Sequence, residues 1–437
     1  MFLDFSTLET EIERTKVKSR FGFVEELGPG SVKVSGLSTF ARIGDIVVID
    51  RPDEALLEGE IVALTGNMAQ IMTYSECTGV PIGACAQLRM ASDLRPDQSW
   101  KGRIIDAMGR PLDGMPLQLG EKPAALRRAP PDAAFRNPLG PQARTQIAAI
   151  DTMLPLARGQ RIGLFAGSGV GKSTLLAELA RGVDADIVVL SLIGERGREL
   201  RHFTDEVLGP EGMKRSIVVA ETSDRSPLLK RRAAWSAMAI AEYFRDQGLH
   251  VLLLCDSVTR FAEAHREVAL TAGEAPSLRA FPPSTSNMIA SLTERAGPGT
   301  GDQGDITAVF SVLVAGSDMD EPVADITRGV LDGHIVLDRE IAERGRFPAI
   351  DVRRSVSRSL PDVLTAEQNQ LINRARRLLS AYESAAPMIR TGLYVGGSDH
   401  EIDQAIITWP KLDAFFAKTR LQNADPFTEL ETILNPT

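Results

Sequence analysis

The chain has 437 residues, which at ~150 residues per domain predicts about three domains and excludes a small disulfide-stapled scaffold. Its 49 basic and 58 acidic side chains give a net charge of -9, whereas nucleic-acid-binding proteins usually carry a basic excess, so we expect no nucleic-acid partner. A hydrophobic content of 43% is too high for a disordered chain.

The chain is expected to be cytoplasmic. Its longest nearly apolar stretch, from Ile306 to Ala315, is far shorter than the ~20 residues that span a bilayer. The acidic start MFLDFSTLETEIER lacks the basic residues and apolar centre of a signal peptide. Cys77, Cys85 and Cys255 match no zinc spacing and are expected to be buried free thiols.

Residues 1–16 predict a short amphipathic helix. Phe5, Leu8 and Ile12 fall on one helical face, and Ser6 with Glu9 has the spacing of a capping box. A helix this short is only marginally stable alone, so its apolar face should dock on its own barrel or on a partner, or fray.

Residues 17–90 predict a small β-barrel. Short alternating runs such as SVKVSG and DIVVID are separated by glycine-rich turns, a pattern typical of antiparallel strands. The chain then becomes rich in proline, and we place a domain boundary near Met90.

Residues 91–361 predict an α/β domain with a parallel sheet. From Arg161 onward the apolar runs RIGLFA, DIVVLSLIG, HVLLLCD and DITAVFSVLVA alternate with helical stretches. Residues 362–437 should instead be helical, because Leu371, Ala375 and Leu378 share one helical face. Ser398 with Glu401 has capping-box spacing ahead of another helix in this last domain.

The segment AGSGVGKST predicts a phosphate-binding loop, because it follows an apolar strand and precedes a helical run. Its glycines let backbone N–H groups face one centre, Lys172 can reach the β and γ oxygens, and Ser173 offers a hydroxyl to Mg²⁺. The general motif has glycine where this chain has alanine, and a flexible Gly/Ser turn is the alternative. The predicted nucleotide-binding residues of the loop are Ala166, Gly167, Ser168, Gly169, Val170, Gly171, Lys172, Ser173 and Thr174.

Two carboxylates follow apolar strands. Asp256 closes VLLLC, and together with Ser173 it is predicted to hold Mg²⁺, although an Asp after a strand is by itself more often a helix cap. Glu195 follows the strand in LSLIGERGRE and is assigned as the base that orients an attacking water, with Arg196 as a secondary candidate. A solvated acid in the first turn of a helix is the alternative for Glu195.

Five segments follow one another along the chain: AGSGVGKST, LIGERGRE, LLLCDSVTRFAEAHRE, VADITRGVLDGHIVLDR and RFPAIDVRRSVSR. Taken together and in this order, they resemble the ATPases of type III protein export, which are relatives of the catalytic subunit of rotary ATP synthases. Within that group the chain most resembles the flagellar protein-export ATPases. The resemblance extends over nearly the whole chain and implies a RecA-like central domain that binds ATP and Mg²⁺.

The resemblance also implies roles for further residues. Arg358, in SVSR, becomes the finger that reaches a neighbouring subunit's nucleotide, a role that the residues alone do not assign among Arg353, Arg354 and Arg358. Arg260, within LLLCDSVTRFAEAHRE, is a further catalytic candidate. Phe347 stands where the family often has tyrosine and is expected to pack on adenine.

The function that the resemblance implies is ATP hydrolysis coupled to export of flagellar proteins by a homohexameric ring with sites at subunit interfaces. The implied partners are a stator-like regulatory protein bound at residues 1–16, a central stalk protein, export substrates and chaperones. The ring would lie peripherally at the membrane export gate, on the inner face of the cytoplasmic membrane.

Three alternatives stay open. A virulence injectisome ATPase of the same family would have the same site. A ring-shaped RNA translocase needs a basic and aromatic barrel surface, whereas residues 17–90 hold four aromatic residues, Phe21, Phe23, Phe40 and Tyr74, and few clustered bases. A noncatalytic nucleotide-binding subunit of a rotary assembly is expected to lack a base such as Glu195.

Overall fold

The computed structural model describes residues 20–52, 55–89, 94–314, 319–421 and 425–435. The predicted amphipathic segment 1–16 lies outside these residues. Within them, no helix combines the length and the apolar character needed to cross a membrane.

The first six strands form the predicted barrel. They pair antiparallel in the order β1-β2-β5-β4-β3-β6, and β6 closes the barrel on β1. Alternate side chains of each strand point into the barrel. In one strand, Val32 and Val34 are fully buried while their neighbours are half-buried. The strands are β1 (Arg20–Gly28), β2 (Ser31–Ser35), β3 (Ile46–Ile49), β4 (Leu57–Thr65), β5 (Met68–Thr73) and β6 (Cys85–Arg89).

All three cysteines are free thiols, but the prediction that all are buried is wrong for two of them. Cys255 lies in the middle of the central sheet and is buried. Cys77 lies in the loop after β5 and is half-buried, and Cys85 begins β6, where side chains alternate between the barrel interior and the outer face.

The second part of the chain forms a mixed sheet that is mostly parallel, as predicted. In the described residues it has nine strands in the order β15-β14-β8-β13-β11-β9-β10-β7, and β12 pairs with β13 off this path. The strands are β7 (Ile104–Ile105), β8 (Arg161–Ala166), β9 (Ile187–Glu195), β10 (Ser216–Thr222), β11 (Val251–Asp256), β12 (Gly297–Pro298), β13 (Asp305–Leu313), β14 (Gly333–Leu337) and β15 (Val356–Ser357).

Helices alternate with these strands, as expected of an α/β sheet. The helix after β10 begins at Pro227, a residue suited to the first turn of a helix, and ends at Arg245, shortly before Gly248 in its left-handed conformation. The helices are α1 (Ala148–Met153), α2 (Lys172–Gly182), α3 (Gly197–His202), α4 (Gly209–Met213), α5 (Pro227–Arg245), α6 (Val258–Thr271), α7 (Ser284–Thr293), α8 (Pro322–Val330) and α9 (Arg339–Glu343), with a π-helical turn at Phe203–Leu208 and a 3-10 turn at Gln98–Trp100.

The order of the strands decides where the functional residues lie. β8, β13, β11 and β9 are neighbours, and each pair is parallel. Their carboxyl ends therefore share one edge of the sheet, which is where open α/β sheets bind their ligands. Ala166, Glu195 and Asp256 are the last residues of β8, β9 and β11 and so meet at this edge.

Three helices follow the sheet, namely α10 (Ala366–Arg390), α11 (His400–Phe416) and α12 (Pro426–Leu434). Their buried side chains join the same hydrophobic core as the sheet. The predicted capping box at Ser398 is wrong. Asp399 caps α11 instead, accepting from the backbone N of Glu401 (2.8 Å) and Ile402 (3.1 Å), because its carboxylate lies one residue closer to the helix.

The chain divides into two compact units. One contains the described part of Met1–Ser92 together with Arg225–Leu229 and Ala264–Pro282, and the other contains the sheet and the C-terminal helices. The predicted ranges 17–90, 91–361 and 362–437 stay predictions.

Candidate active site

The loop between β8 and α2 has the shape of a phosphate-binding loop. Gly169 and Gly171 adopt positive φ angles of 76° and 87°, which glycine accepts without strain. Gly171 is the N-cap of α2 and has no side chain with which to cap the helix. The first N–H groups of α2 are therefore available to an anion, and the helix dipole favours negative charge there.

An aromatic ring lies against this loop. A Cβ atom built on Gly171 would come within 3.2 Å of Cδ1 and 3.3 Å of Cε1 of Phe347. The ring is half exposed, at 49%. The structure thus places Phe347 beside the loop with one face open, as stacking on a flat ligand requires.

Lys172, at the start of α2, forms an ion pair with Asp256 at the end of β11. The Asp256 carboxylate is buried, with only 4% of its side chain exposed. The hydroxyl of Ser311 on β13 donates a 2.6 Å hydrogen bond to Oδ1 of Asp256, the oxygen that Lys172 also contacts. Two donors thus compensate the carboxylate, as a buried charge requires.

Glu195 lies at the same edge and is half-buried. Burial and, after it, repulsion by the negative charge of Asp256 raise the pKa of Glu195 to about 7, while the positive charge of Lys172 opposes the shift. A carboxylate with a pKa near neutrality can gain or lose a proton at working pH, which suits a general base.

Two predicted arginines flank Glu195 differently. Arg260 packs along Gly194, since a Cβ built on that glycine would lie 3.6 Å from its Cγ and Cδ atoms. Its guanidinium pairs with Glu263 at 2.8 Å. Arg196 points outward with 74% of its side chain exposed and contacts Glu199 at 3.4 Å. Arg260 therefore lies beside the strand end that carries Glu195, whereas Arg196 points into solvent.

Arg358 is not part of this cluster. It follows β15, which pairs with the first residues of β14, and its backbone N donates to the carbonyl of Asp332 at 3.0 Å. This is the amino edge of the sheet, and the five residue steps of β8 that separate the two edges span about 17 Å. The side chain is exposed, and among the described residues none forms an ion pair with it.

Sequence reasoning missed Ser311. The only signal was a serine inside the apolar run DITAVFSVLVA, where a polar side chain needs a buried partner. Pairing of β13 between β8 and β11 supplies that partner, Asp256.

The oxygen atoms that could hold a metal are few. The Ser173 hydroxyl is exposed at the start of α2, and Asp256 supplies the buried carboxylate. Across the described residues, no group of three or more His, Cys, Asp or Glu side chains could hold a metal by itself. Such a sparse oxygen donor set fits Mg²⁺, which keeps most of its waters and binds together with phosphates.

Comparison with protein families gives two matches in order along the chain. Residues 146–357 match the ATP synthase alpha/beta family, nucleotide-binding domain. Residues 364–433 match the T3SS EscN ATPase C-terminal domain.

Individual relatives cover almost the whole chain. The flagellum-specific ATP synthase of Caulobacter vibrioides is 42% identical over 423 residues, 95% of each chain. That of Bacillus subtilis is 41% identical over 407 residues, 92% of each. The structure of the assembled ATPase EscN from the enteropathogenic E. coli type III secretion system is 36% identical, with a TM-score of 0.86, and covers 95% of this chain and 100% of that one.

EscN in complex with its central stalk EscO gives a TM-score of 0.84 at 36% identity over 95% of this chain and 100% of that one. With relatives above 40% identity over more than nine tenths of its length, the chain belongs to the flagellum-specific ATP synthase family and is an ATPase of the flagellar and type III secretion export group.

Proposed function

We propose that this protein is the ATPase of a flagellar export apparatus, and that it hydrolyses ATP in a homohexameric ring with its sites at subunit interfaces. The observation that carries the proposal is the cluster of Lys172, Asp256 and Glu195 beside a phosphate-binding loop at one sheet edge. Assembly of the related EscN supports the ring. The flagellar system is favoured over an injectisome because relatives at 42% and 41% identity over more than nine tenths of the chain are flagellum-specific ATP synthases.

In the proposed reaction, Lys172 leaves Asp256 and binds the β and γ oxygens of ATP. Ser173 and Asp256 would hold Mg²⁺, which neutralises charge on the phosphates when it is bound. Ser311 keeps its hydrogen bond to Oδ1 of Asp256, so one carboxylate oxygen stays oriented after the lysine has moved. Phe347 packs on the adenine.

Glu195 acts on the attacking water. Its carboxylate accepts a hydrogen bond from the water and orients it toward the γ-phosphate, which is the main task in phosphoryl transfer. Because burial and Asp256 raise its pKa to about 7, Glu195 of the free enzyme is protonated below that pH and cannot take a proton from the water as a base. Arg260, packed on Gly194 beside Glu195, supplies positive charge to the site.

Arg358 completes the site of a neighbouring subunit. In its own subunit it lies at the edge of the sheet opposite the phosphate-binding loop, with an exposed and unpaired guanidinium among the described residues. In a closed ring of identical subunits, one face of each subunit meets a different face of the next. An arginine on one edge can thus reach a nucleotide bound at the other edge of its neighbour.

The remaining partners stay predictions from family resemblance. A central stalk protein is supported by the EscN–EscO complex. A stator-like protein at residues 1–16, export substrates, chaperones and peripheral attachment at a membrane export gate are proposed with it. A pull-down with protein lacking residues 2–16 tests the stator site.

Lys172→Ala should abolish ATP turnover and weaken ATP binding, because the loop has no second cation for the β and γ oxygens. Steady-state ATPase assays and nucleotide titration measure both effects. Lys214→Ala, which removes an exposed lysine paired with Glu211, is the matched control and should retain activity. Near-normal turnover by folded Lys172→Ala protein contradicts the proposed function.

Glu195→Gln should leave ATP binding in place and lower kcat by about 10² to 10⁴, since it removes the base. In the wild type, kcat/KM should fall as the pH drops below about 7, because the raised pKa makes the carboxylate form dominant only above that value. This acid limb should vanish in the variant. Glu206→Gln, at an exposed acid paired with His202, should behave as wild type. Equal loss of binding and kcat would make Glu195 structural.

Ser311→Ala should raise the Mg²⁺ concentration for half-maximal turnover and lower kcat about tenfold, because a hydrogen bond to a charged group is worth roughly 1.5–3 kcal/mol. Magnesium titrations of ATPase activity measure the effect. Ser291→Ala removes an exposed hydroxyl that bonds only its own helix, and it serves as the control. An unchanged Mg²⁺ requirement shows that Asp256 is oriented without Ser311.

Mixing Arg358→Ala with Lys172→Ala protein should restore part of the ATPase activity that each lacks. In mixed rings some interfaces combine an intact lysine of one subunit with an intact arginine of the next, and such an arginine is worth about 10³ to 10⁵ in kcat. Co-purification of two differently tagged variants verifies that mixed rings form. Absence of recovery in verified mixed rings argues against the trans role.

A further inference from the structure

Arg358 is held by its two neighbours in the chain. Val356 and Arg358 face solvent, while Ser357 and Ser359 are buried, as alternation along an extended segment requires. The hydroxyls of Ser357 and Ser359 both donate to the carbonyl of Pro155, at 2.7 and 2.9 Å, and lie 2.9 Å from each other. The backbone on either side of Arg358 is thus fixed.

A second set of contacts fixes the same backbone from the sheet. The carbonyl of Asp332 accepts from the backbone N of Arg358 and from Nε2 of Gln160, both at 3.0 Å. Nε2 of Gln160 also lies 3.1 Å from Oγ of Ser357. Gln160 is completely buried and immediately precedes β8.

The side chain of Asp332 is clamped in turn by the first residue of β8. Oδ2 of Asp332 accepts from the backbone N (3.0 Å) and Nε (3.1 Å) of Arg161, and Oδ1 accepts from Nη2 (3.1 Å). The backbone N of Asp332 also donates to the carbonyl of Arg161 at 2.8 Å. A two-pronged arginine–carboxylate contact of this kind fixes orientation as well as distance.

We propose that these five residues form a bracket that positions Arg358 for the nucleotide of the neighbouring subunit. The bracket residues are Gln160, Arg161, Asp332, Ser357 and Ser359. The inference rests on the proposed trans role of Arg358. Asp332 and Ser357 are then positioning residues, since they act through Arg358 and do not touch ATP.

The bracket also links two nucleotide sites through one strand. β8 begins at Arg161, which grips Asp332, and ends at Ala166, where its own subunit's phosphate-binding loop starts. The phosphate-binding loop and the contacts to Asp332 are thus anchored at opposite ends of the same strand.

ATPase assays of mixed rings show whether a variant damages its own nucleotide site or the site of the neighbouring subunit. Asp332→Asn and Ser357→Ala should each lower kcat, with about 10²-fold expected for a misplacement of about 1 Å, while ATP binding by the same subunit is unchanged. Mixed with Lys172→Ala, each should recover activity, because some interfaces then have an intact loop and a well-held arginine. Mixed with Arg358→Ala, neither should recover, because every interface lacks a well-placed arginine.

The opposite pattern overturns the inference. Recovery of Asp332→Asn or Ser357→Ala by Arg358→Ala would place the defect in the variant's own loop, and wild-type kcat in both folded variants would show that the bracket does not matter. Asp325→Asn is the matched control. Asp325 lies seven positions before Asp332, is exposed and forms an ion pair with Arg328. Failure of the Lys172→Ala and Arg358→Ala mixture contradicts the trans role itself, so the two failures are distinct.

Discussion

The buried ion pair between Lys172 and Asp256 is the constraint on which the site depends. It joins the start of the helix after β8 to the end of β11, with Ser311 of the strand between them on the same carboxylate oxygen. Removing a cation from a buried carboxylate is costly unless another replaces it. In the proposed reaction, a nucleotide that takes Lys172 would have to bring a new positive partner for Asp256, a role that Mg²⁺ bound with ATP would fill.

The same pair sets the charge at Glu195. Burial and, after it, the charge of Asp256 raise the pKa of Glu195, while Lys172 lowers it, so the protonation of the proposed base depends in part on how these two charges are arranged. Movement of Lys172 onto the phosphates changes the field at the base during binding. Placement of the phosphate and preparation of the base are thus two consequences of one contact.

The predicted nucleotide-binding residues and Arg358 lie at opposite edges of the sheet. Its carboxyl edge carries the phosphate-binding loop, Asp256 and Glu195, while its amino edge carries Arg358. In the proposed head-to-tail ring, the exposed Arg358 of one subunit would complete the site of the next subunit. Hydrolysis in such a ring would depend on assembly.

Features that depend on local pattern could be predicted from the sequence. The phosphate-binding loop, the strand ending at Asp256 and the barrel follow from residue spacing and strand periodicity, and the structure confirms those elements. Ser311 was missed because its partner comes from a neighbouring strand that is distant in sequence. The cap at Asp399 instead of Ser398 shows that a one-residue shift between two good capping residues is decided by backbone geometry.

The choice of Arg358 shows a second limit of prediction from sequence. Three arginines of one short segment carry equal charge, and composition cannot rank them. Arg353 is paired with Glu383 at 2.9 Å and Arg354 lies near Asp338, whereas the buried serines on both sides turn Arg358 toward solvent. That distinction exists only in three dimensions, so resemblance was needed to choose it.

The most direct test of the central claim is a structure of the assembled protein with Mg²⁺ and a non-hydrolysable ATP analogue. We expect Lys172 to have left Asp256 for the β and γ oxygens, Ser311 to remain on Asp256, and Arg358 of the adjacent subunit to contact the γ-phosphate. Lys172 still paired with Asp256 beside a bound nucleotide, or Arg358 remote from every nucleotide, would contradict this account.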